Sequence, residues 1–463
     1  MRSATDRPNI ILINCDDLGY GDLGCYGSDR NKTPALDRMA AEGMRFTDFY
    51  MGAPVCSPSR GAMMTGCYPR RIGFGSFDGR WVLFPGQGVG LNPDEITIAN
   101  LLKDQGYATK HVGKWHCGDQ PEFLPTRFGF DSYYGLPFSN DMGRQRGRKN
   151  QYPPLPLLRD EEVIQEQPDQ AALTERYVEE CVRFIRENQE EPFFLYFAHM
   201  YVHLPLYAPK RFMDQSENGR YGAAVECVDW SVDVLMSELK RLGLDENTIM
   251  VFTSDNGSRN RDEGGSNAPL RGTKGTTWEG GMRLPCIVRW PGRVPAGQTC
   301  GELTAAMDLL PTFANLAGTR EPDDRVIDGH DIAPLMLGED GAESPWEEFY
   351  YYASDRLDAV RRGRWKLRLE FDDEGKIVPD GEQLYDLESD IGETTDLSDE
   401  LPDVVEEMKA ALDRGREELG DEATGAEGRN IRPIGRVDDP KPLTEYDPDH
   451  PYIIAIYDLE DAG

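Results

Sequence analysis

Positive charge is what this sequence has least of. Against 83 Asp and Glu it sets only 50 Lys and Arg, which leaves a formal net charge of −33 at pH 7 and a pI near 4.6. The basic residues are mostly Arg, with few Lys, and the acids run through the whole chain. A field of that sign repels polyanions, so nucleic acid and anionic membrane surfaces are excluded as partners. A carboxylate surface this dense is expected of a halophilic protein kept soluble in high salt. The alternative is an acidic cytosolic enzyme of ordinary habitat.

Long apolar runs are missing too. No stretch approaches the roughly 20 residues of a transmembrane helix. Met1 to Arg7 is polar, and the run Ile10 to Ile13 is too short for the core of a signal peptide. The nine cysteines (15, 25, 56, 67, 117, 181, 227, 286, 300) are odd in number and lack the spacing of a disulfide framework. They are expected to be reduced, several serving as small core residues. Together these features lead to the expectation of a cytoplasmic protein with no membrane partner.

At 463 residues the chain exceeds the usual single-domain size, and one large plus one smaller domain is expected. Pro8 to Asn14 reads as a buried parallel strand that stops at Asp16-Asp17. A helix starts at Thr33-Pro34 and ends at Gly43, and another spans about Ile96 to Gln105. A long helix over about Gln170 to Asn188 carries Tyr177, Cys181 and Phe184 on one stripe. It leads into the strand Phe193 to Phe197. A helix near Gly222 to Leu242 precedes the strand Ile249 to Thr253. This alternation predicts an α/β fold, with a large, mostly parallel sheet flanked by helices over residues 1–340. Phe349 to Ser354, Ala359 to Leu369 and Gln383 to Leu387 look like short antiparallel strands, and Val404 to Leu419 like an amphipathic helix. They predict a smaller C-terminal α+β domain over 341–420. An acidic, Pro-rich extended tail is expected over 421–463.

Two polar pairs, Asp16-Asp17 and Asp255-Asn256, follow the ends of separate apolar strands, the place where open α/β sheets bind ligands. Three carboxylates and an amide oxygen make a nest for a hard cation such as Ca²⁺ or Mg²⁺. The same dipeptides are also ordinary turn residues. Gly113-Lys114-Trp115-His116 places a Lys and a His on one irregular loop, where both can face one anion. Tyr201-Val202-His203-Leu204-Pro205 follows another strand, and Arg271-Gly272-Thr273-Lys274-Gly275 puts a cation in a loop of low bulk. Each alone is equally well a structural histidine or a solvated loop.

The stretch Cys56-Ser57-Pro58-Ser59-Arg60 gives these fragments a common meaning. Together with Asp16-Asp17-Leu18-Gly19-Tyr20-Gly21-Asp22, Gly113-Lys114-Trp115-His116, Ser254-Asp255-Asn256-Gly257 and Lys274-Gly275-Thr276-Thr277, it resembles the type I sulfatases, in order and in spacing. Leu136 to Asp141 and Gly264 to Asn267 resemble the arylsulfatase A and N-acetylgalactosamine-6-sulfatase branch. The resemblance runs from about residue 8 to about 400, Leu384-Tyr385-Asp386-Leu387 included. It implies an alkaline phosphatase-like fold and oxidation of Cys56 to formylglycine by a maturation enzyme that binds transiently. It implies a cation, calcium by preference with magnesium admitted by the same oxygen shell, held by Asp16, Asp17, Asp255, Asn256 and the modified residue 56. Arg60 and Lys114 would hold the modified residue, while Lys114, His203, Lys274 and Ser139 would contact the sulfate.

The implied reaction is hydrolysis of the sulfate monoester of a small aryl alcohol or sugar. The hydrated aldehyde attacks sulfur in line, helped by the amide groups at a helix start expected at Pro58. His203 or Lys274 protonates the leaving alcohol, and His116 is the base that then releases sulfate. Loops such as Ser76 to Gly90 and Gly143 to Leu158 would form the specificity rim. The sequence departs from the family pattern at Met64, at Cys67 (where an Arg is usual) and at Asn140 (where a His is common). Alternative readings are a phosphonate monoester or phosphodiester hydrolase of the same superfamily, and a catalytically silent homologue that binds sulfated glycans.

Overall fold

The computed structural model describes residues 7–149, 151–259, 263–453 and 455–456. Among these residues the strands of the main sheet are, in chain order, β1 (Asn9–Cys15), β2 (Met44–Tyr50), β3 (Ala108–Gly113), β4 (Ser132–Gly135), β5 (Pro156–Arg159) and β6 (Glu162–Glu166). There follow β7 (Phe193–Ala198), β8 (Thr248–Ser254), β9 (Arg283–Arg289), β10 (Gln298–Cys300) and β11 (Thr304–Ala305). Their order across the sheet is β10-β2-β9-β8-β1-β7-β3-β4-β5-β6, with β11 also on β2. The central five, β8-β1-β7-β3-β4, are parallel. The strands outside them bring in antiparallel pairs.

The apolar run at the start of the chain becomes the middle of this sheet because both its faces are buried. Ile10 and Leu12 enter one core and Ile11 and Ile13 the other, the pattern of a strand covered on two sides. The helices divide accordingly. α1 (Pro34–Ala41), α4 (Leu173–Glu187) and α5 (Gly219–Leu242) cover one face. On the other lie α2 (Cys56–Thr65), α3 (Ile98–Asp104) and α6 (Leu309–Ala317). Tyr177, Cys181 and Phe184 form the buried stripe of α4, which is preceded by a 3₁₀ turn at Gln170–Ala172.

A second, antiparallel sheet follows, made of β12 (Phe349–Ala353), β13 (Arg356–Arg362), β14 (Trp365–Arg368) and β15 (Gln383–Asp386). With α7 (Pro402–Leu419) it buries a core of its own around Tyr351, Leu367, Met408 and Leu412. The segment Ala359 to Leu369, expected as one strand, is a hairpin. Gly363 at φ +55° turns the chain between β13 and β14, a conformation glycine adopts at little cost.

Beyond Asp421 the chain crosses back over the main domain. Arg432 pairs with Glu95 at 2.7 Å, Gly435–Arg436 pairs with Val89–Gly90, and Arg144 lies 3.6 Å over the ring of Tyr446. The last seven residues of the expected tail lie outside the described residues. All nine cysteines are free.

Candidate active site

Parallel pairing brings the polar pairs together. Cys15 is the register partner of Ser254, so Asp16 and Asp255 leave the sheet side by side at its C-terminal edge. Gly113 is likewise opposite Ala198, and Lys114 and the segment Met200–His203 leave at the same edge. Asp17 and His116 both take left-handed backbone, φ +62° and +61°, an uncommon state for residues with side chains and one that concentrates at functional sites.

α2 begins at Cys56 itself, two residues before the start expected at Pro58, after Val55 in extended conformation. Pro58 falls in the first turn, where its missing N–H costs nothing. Ser59 Oγ donates to Ala53 O at 2.7 Å, and Leu83 N donates to Ser57 Oγ at 3.1 Å, tying the helix start to the loop that follows. Cys56 is 2% exposed. Burial pushes its thiol up to about 11, although Lys114 and Lys274 pull the other way. At neutral pH a sulfur here holds its proton and is a poor nucleophile.

Three acids and three bases are buried beneath this thiol and pair one to one. Lys114 Nζ donates to Asp16 Oδ2, Lys274 Nζ lies 2.8 Å from Asp17 Oδ1, and Arg60 Nη2 lies 2.7 Å from Asp255 Oδ2. Arg60 also donates to Lys114 O at 2.7 Å. Burial alone would raise Asp16 and Asp17. Lys114 beside Asp16 and Lys274 beside Asp17, with His203 acting on both in the same direction, hold them below the usual carboxylate range. Asp255 is raised to about 7 by burial and by Asp16, against the pull of Arg60.

Asp16 Oδ1 and Asn256 Oδ1 are buried without a hydrogen-bond partner, which is rare because each such atom forgoes its hydration. Asn256 Nδ2 meanwhile donates to Asp17 Oδ1 at 2.7 Å. Asp16, Asp17 and His203 offer ligand atoms within 4.8 Å of one another. Unpartnered oxygens among clustered carboxylates fit a hard divalent cation.

Above this layer opens a cavity of about 580 Å³ lined by Cys56, His116, Ser139, His203 and Lys274 together with residues of the rim. Ser139 Oγ accepts from Lys114 Nζ at 2.9 Å. His116 Nε2 lies 3.0 Å from Leu83 O, so that nitrogen carries the proton and Nδ1, buried and unpartnered, carries the lone pair. Burial and the Lys114 cation push the His116 ring well below its ordinary value. His203 Nδ1 is held by Leu204 O at 2.6 Å, leaving Nε2 3.8 Å from Asp17 Oδ2. Burial, then Lys274, lowers its pKa.

Some contributors carried no role in the sequence reading. Asp22 accepts from Gly19 N at 2.8 Å, Ser266 N at 2.9 Å and Tyr221 Oη. A Cβ on Gly19 would sit 2.3 Å from Ser266 O. Asn267 brackets Ser258, accepting from its N and donating to its O, both at 2.8 Å. The segment Gly264 to Asn267 is therefore scaffolding that presses the Asp16 and Asp255 loops together. Asp141, Arg259, Trp81 and Tyr152 also line the cavity. Trp81 and Tyr152 lie in the two loops expected as the rim. Asp141 stood in a segment quoted only for its resemblance.

The sulfatase family profile matches residues 8–319, and a profile described as N-sulphoglucosamine sulphohydrolase, C-terminal, matches 273–418. The N-acetylgalactosamine-6-sulfatase of Canis lupus familiaris is 44% identical over 383 residues, covering 79% of this chain and 72% of that protein. Arylsulfatase A of Homo sapiens is 38% identical over 446 residues, covering 88% and 86%. The solved structure of Ps i-CgsB in complex with k-i-k-neocarrahexaose superposes with a TM-score of 0.79 at 32% identity, covering 91% of this chain and 95% of that one.

Proposed function

The chain belongs to the sulfatase family and is a sulfuric ester hydrolase, and from that premise we propose that Cys56 acts as a formylglycine on the sulfate monoester of a sugar or small aryl alcohol. The observation that carries the reading is the placement of Cys56. Its thiol is held protonated at the mouth of a helix, on the wall of a cavity, over a layer of buried cations and unpartnered oxygens. Sulfated sugars are favoured by the relative named for N-acetylgalactosamine-6-sulfate and by the neighbour bound to a carrahexaose.

A formylglycine hydrate at 56 would supply an oxygen nucleophile, and the divalent cation a Lewis acid that stabilises negative charge on oxygen. Asp16, Asp17, Asp255 and Asn256 would hold that cation. The oxygen shell admits calcium or magnesium, and the resemblance to the type I sulfatases leans to calcium. Lys114 and Lys274 hold the sulfate oxygens, aided by Ser139 Oγ, and Arg60 fixes Asp255 and the Lys114 carbonyl so that both stay in place. Lys274 Nζ, or His203 once its Nε2 has taken up a proton, gives a proton to the leaving oxygen. His116 stays neutral with its lone pair at Nδ1 and takes the proton that must be lost when sulfate is released. The transient partner is the enzyme that oxidises Cys56. A cytoplasmic location and a salt-rich source belong to the same proposal, the latter with activity expected to rise in molar salt.

Mass spectrometry of the peptide carrying residue 56, from the native host, tests the reading: an aldehyde is expected, and a wholly thiol population would sink it. Turnover of an aryl sulfate should vanish in Cys56→Ala. A phosphonate or phosphodiester hydrolysed faster than the matched sulfate would move the chain to another activity of its superfamily.

A further inference from the structure

Asp141 lines the cavity beside Ser139 and Met142 and is 3% exposed. Its main chain is well occupied, the carbonyl accepting from Gln145 Nε2 and from Arg148 Nη1. Its carboxylate is not. Oδ1 is buried with no hydrogen-bond partner; of the cations that act on it through space, Lys114 and Lys274 are bonded to Asp16 and Asp17 and Arg148 to the Asp141 carbonyl. Burial raises the Asp141 carboxyl, with His203 and Lys114 pulling against it.

A sulfate ester is an anion, and a carboxylate on the wall of its pocket repels it. Such a group is useful there only if the bound molecule offers it a donor. The sulfate oxygens are acceptors, and a plain aryl ring brings no O–H. A hydroxyl on the carbon framework beside the ester is the donor that fits. We infer that Asp141 reads a hydroxyl of the substrate next to the sulfate ester and so selects sulfated sugars over aryl sulfates.

The aromatic lining of the same cavity suits the same class of molecule. Trp81 is 64% exposed where it lines the cavity, whereas Phe84 and Tyr152 stack on each other and carry Arg80 and Arg148 over their rings. Flat aromatic faces pack against the C–H face of a sugar ring, leaving its hydroxyls to polar groups such as Asp141.

The inference rests on the sulfatase reading of Cys56, which turnover of 4-methylumbelliferyl sulfate, lost in Cys56→Ala, tests separately. Hexose and N-acetylhexosamine monosulfates are then compared, and the best is paired with the deoxy analogue that lacks the hydroxyl nearest the ester. The wild type is expected to lose roughly 10- to 100-fold in kcat/KM on the deoxy analogue, the loss from leaving a buried charged acceptor unpaired. In Asp141→Ala that loss should shrink to within about threefold. Asp141→Asn, which keeps shape and a weaker acceptor, should fall between and decides the matter if the alanine variant does not fold. A wild type indifferent to the hydroxyl overturns the inference, as does one that turns over only the aryl ester. So does a deoxy penalty undiminished in a folded Asp141 variant. A protein that turns over no sulfate ester overturns the sulfatase reading itself, and this inference with it.

Discussion

Two buried clusters in this protein each hold three acids and three bases. At the ends of β1 and β8, Asp16, Asp17 and Asp255 face Lys114, Lys274 and Arg60. Where the C-terminal sheet meets the main one, Asp48, Glu279 and Glu393 face Arg283, Arg361 and Lys366. In the second cluster the two buried atoms without a hydrogen bond, Glu393 Oε1 and Arg283 Nη1, still face an opposite charge of the chain, Lys366 at 2.7 Å and Glu279 at 3.5 Å. Lys366 Nζ reaches Thr277 O at 2.9 Å, Glu279 at 3.0 Å and Glu393 at 2.7 Å. Glu279 takes further bonds from Tyr50 and Tyr351. The first cluster leaves Asp16 Oδ1 and Asn256 Oδ1 bare and opens on a cavity through Lys274 and His203. Buried charge alone therefore does not mark a site. A joint completes its bonds within the chain, whereas a site keeps some for what it binds.

The comparison can be broken most decisively at Cys56. Cys56→Ala should lower kcat/KM for a sulfate ester on the order of 10⁴-fold or more and barely move the melting temperature. A variant that unfolds instead would make residue 56 a packing residue. Lys366→Met strands Glu279 and Glu393, and denaturant titration should show a loss of about 3–5 kcal/mol. Activity per folded molecule should stay within about threefold, because the joint touches no substrate. Lys274→Ala should do the reverse, cutting kcat/KM roughly 10²- to 10³-fold with a smaller loss of stability. Asp17 keeps Asn256 and His203 beside it. Should Lys274→Ala melt as early as Lys366→Met, the distinction between the clusters fails.

The smallest effect concerns pH. Burial would raise Glu279, but Lys366, Arg283 and Arg361 hold it down at about 2. Its depressed pKa adds stability above the unfolded value, and that stability drains away as pH falls from about 4.5 toward 2. Urea titrations over this window should show a loss of about 1–3 kcal/mol that is reduced in Glu279→Gln. An equal acid sensitivity in the variant would assign the loss to other carboxylates.

The sheet, and the residues it gathers at one edge, were legible because short-range chemistry announces them. A run such as Ile10 to Ile13 can only be buried, and acids directly after it can only stand at a strand end. Cys56, Lys114, His116, His203 and Lys274 were found through family motifs, and the fold shows why those motifs are far apart in sequence: parallel strands deliver them to one edge. What stayed hidden depends on partners hundreds of residues away. Nothing near Lys366 hints that it is buried against Glu279 and Glu393. Asp141 looks like any loop acid until its missing partner is seen. The hairpin at Gly363 was missed because Arg362 and Arg364 flank a single glycine without the usual Asn-Gly or Asp-Gly signal.

The central position of β1 also sets a clock. Its neighbours β7 and β8 are made long after Cys56 has emerged, and without them the edge that encloses α2 does not exist. In the finished fold Cys56 is out of reach of any second protein. The enzyme proposed to oxidise its thiol would have to act on the growing chain or before the sheet closes. At about 5–20 residues per second of synthesis, that interval is on the order of ten to forty seconds. On the proposed maturation of Cys56, the fraction of competent molecules would be fixed by a race between translation and oxidation, and slower translation would yield a more active population from the same gene.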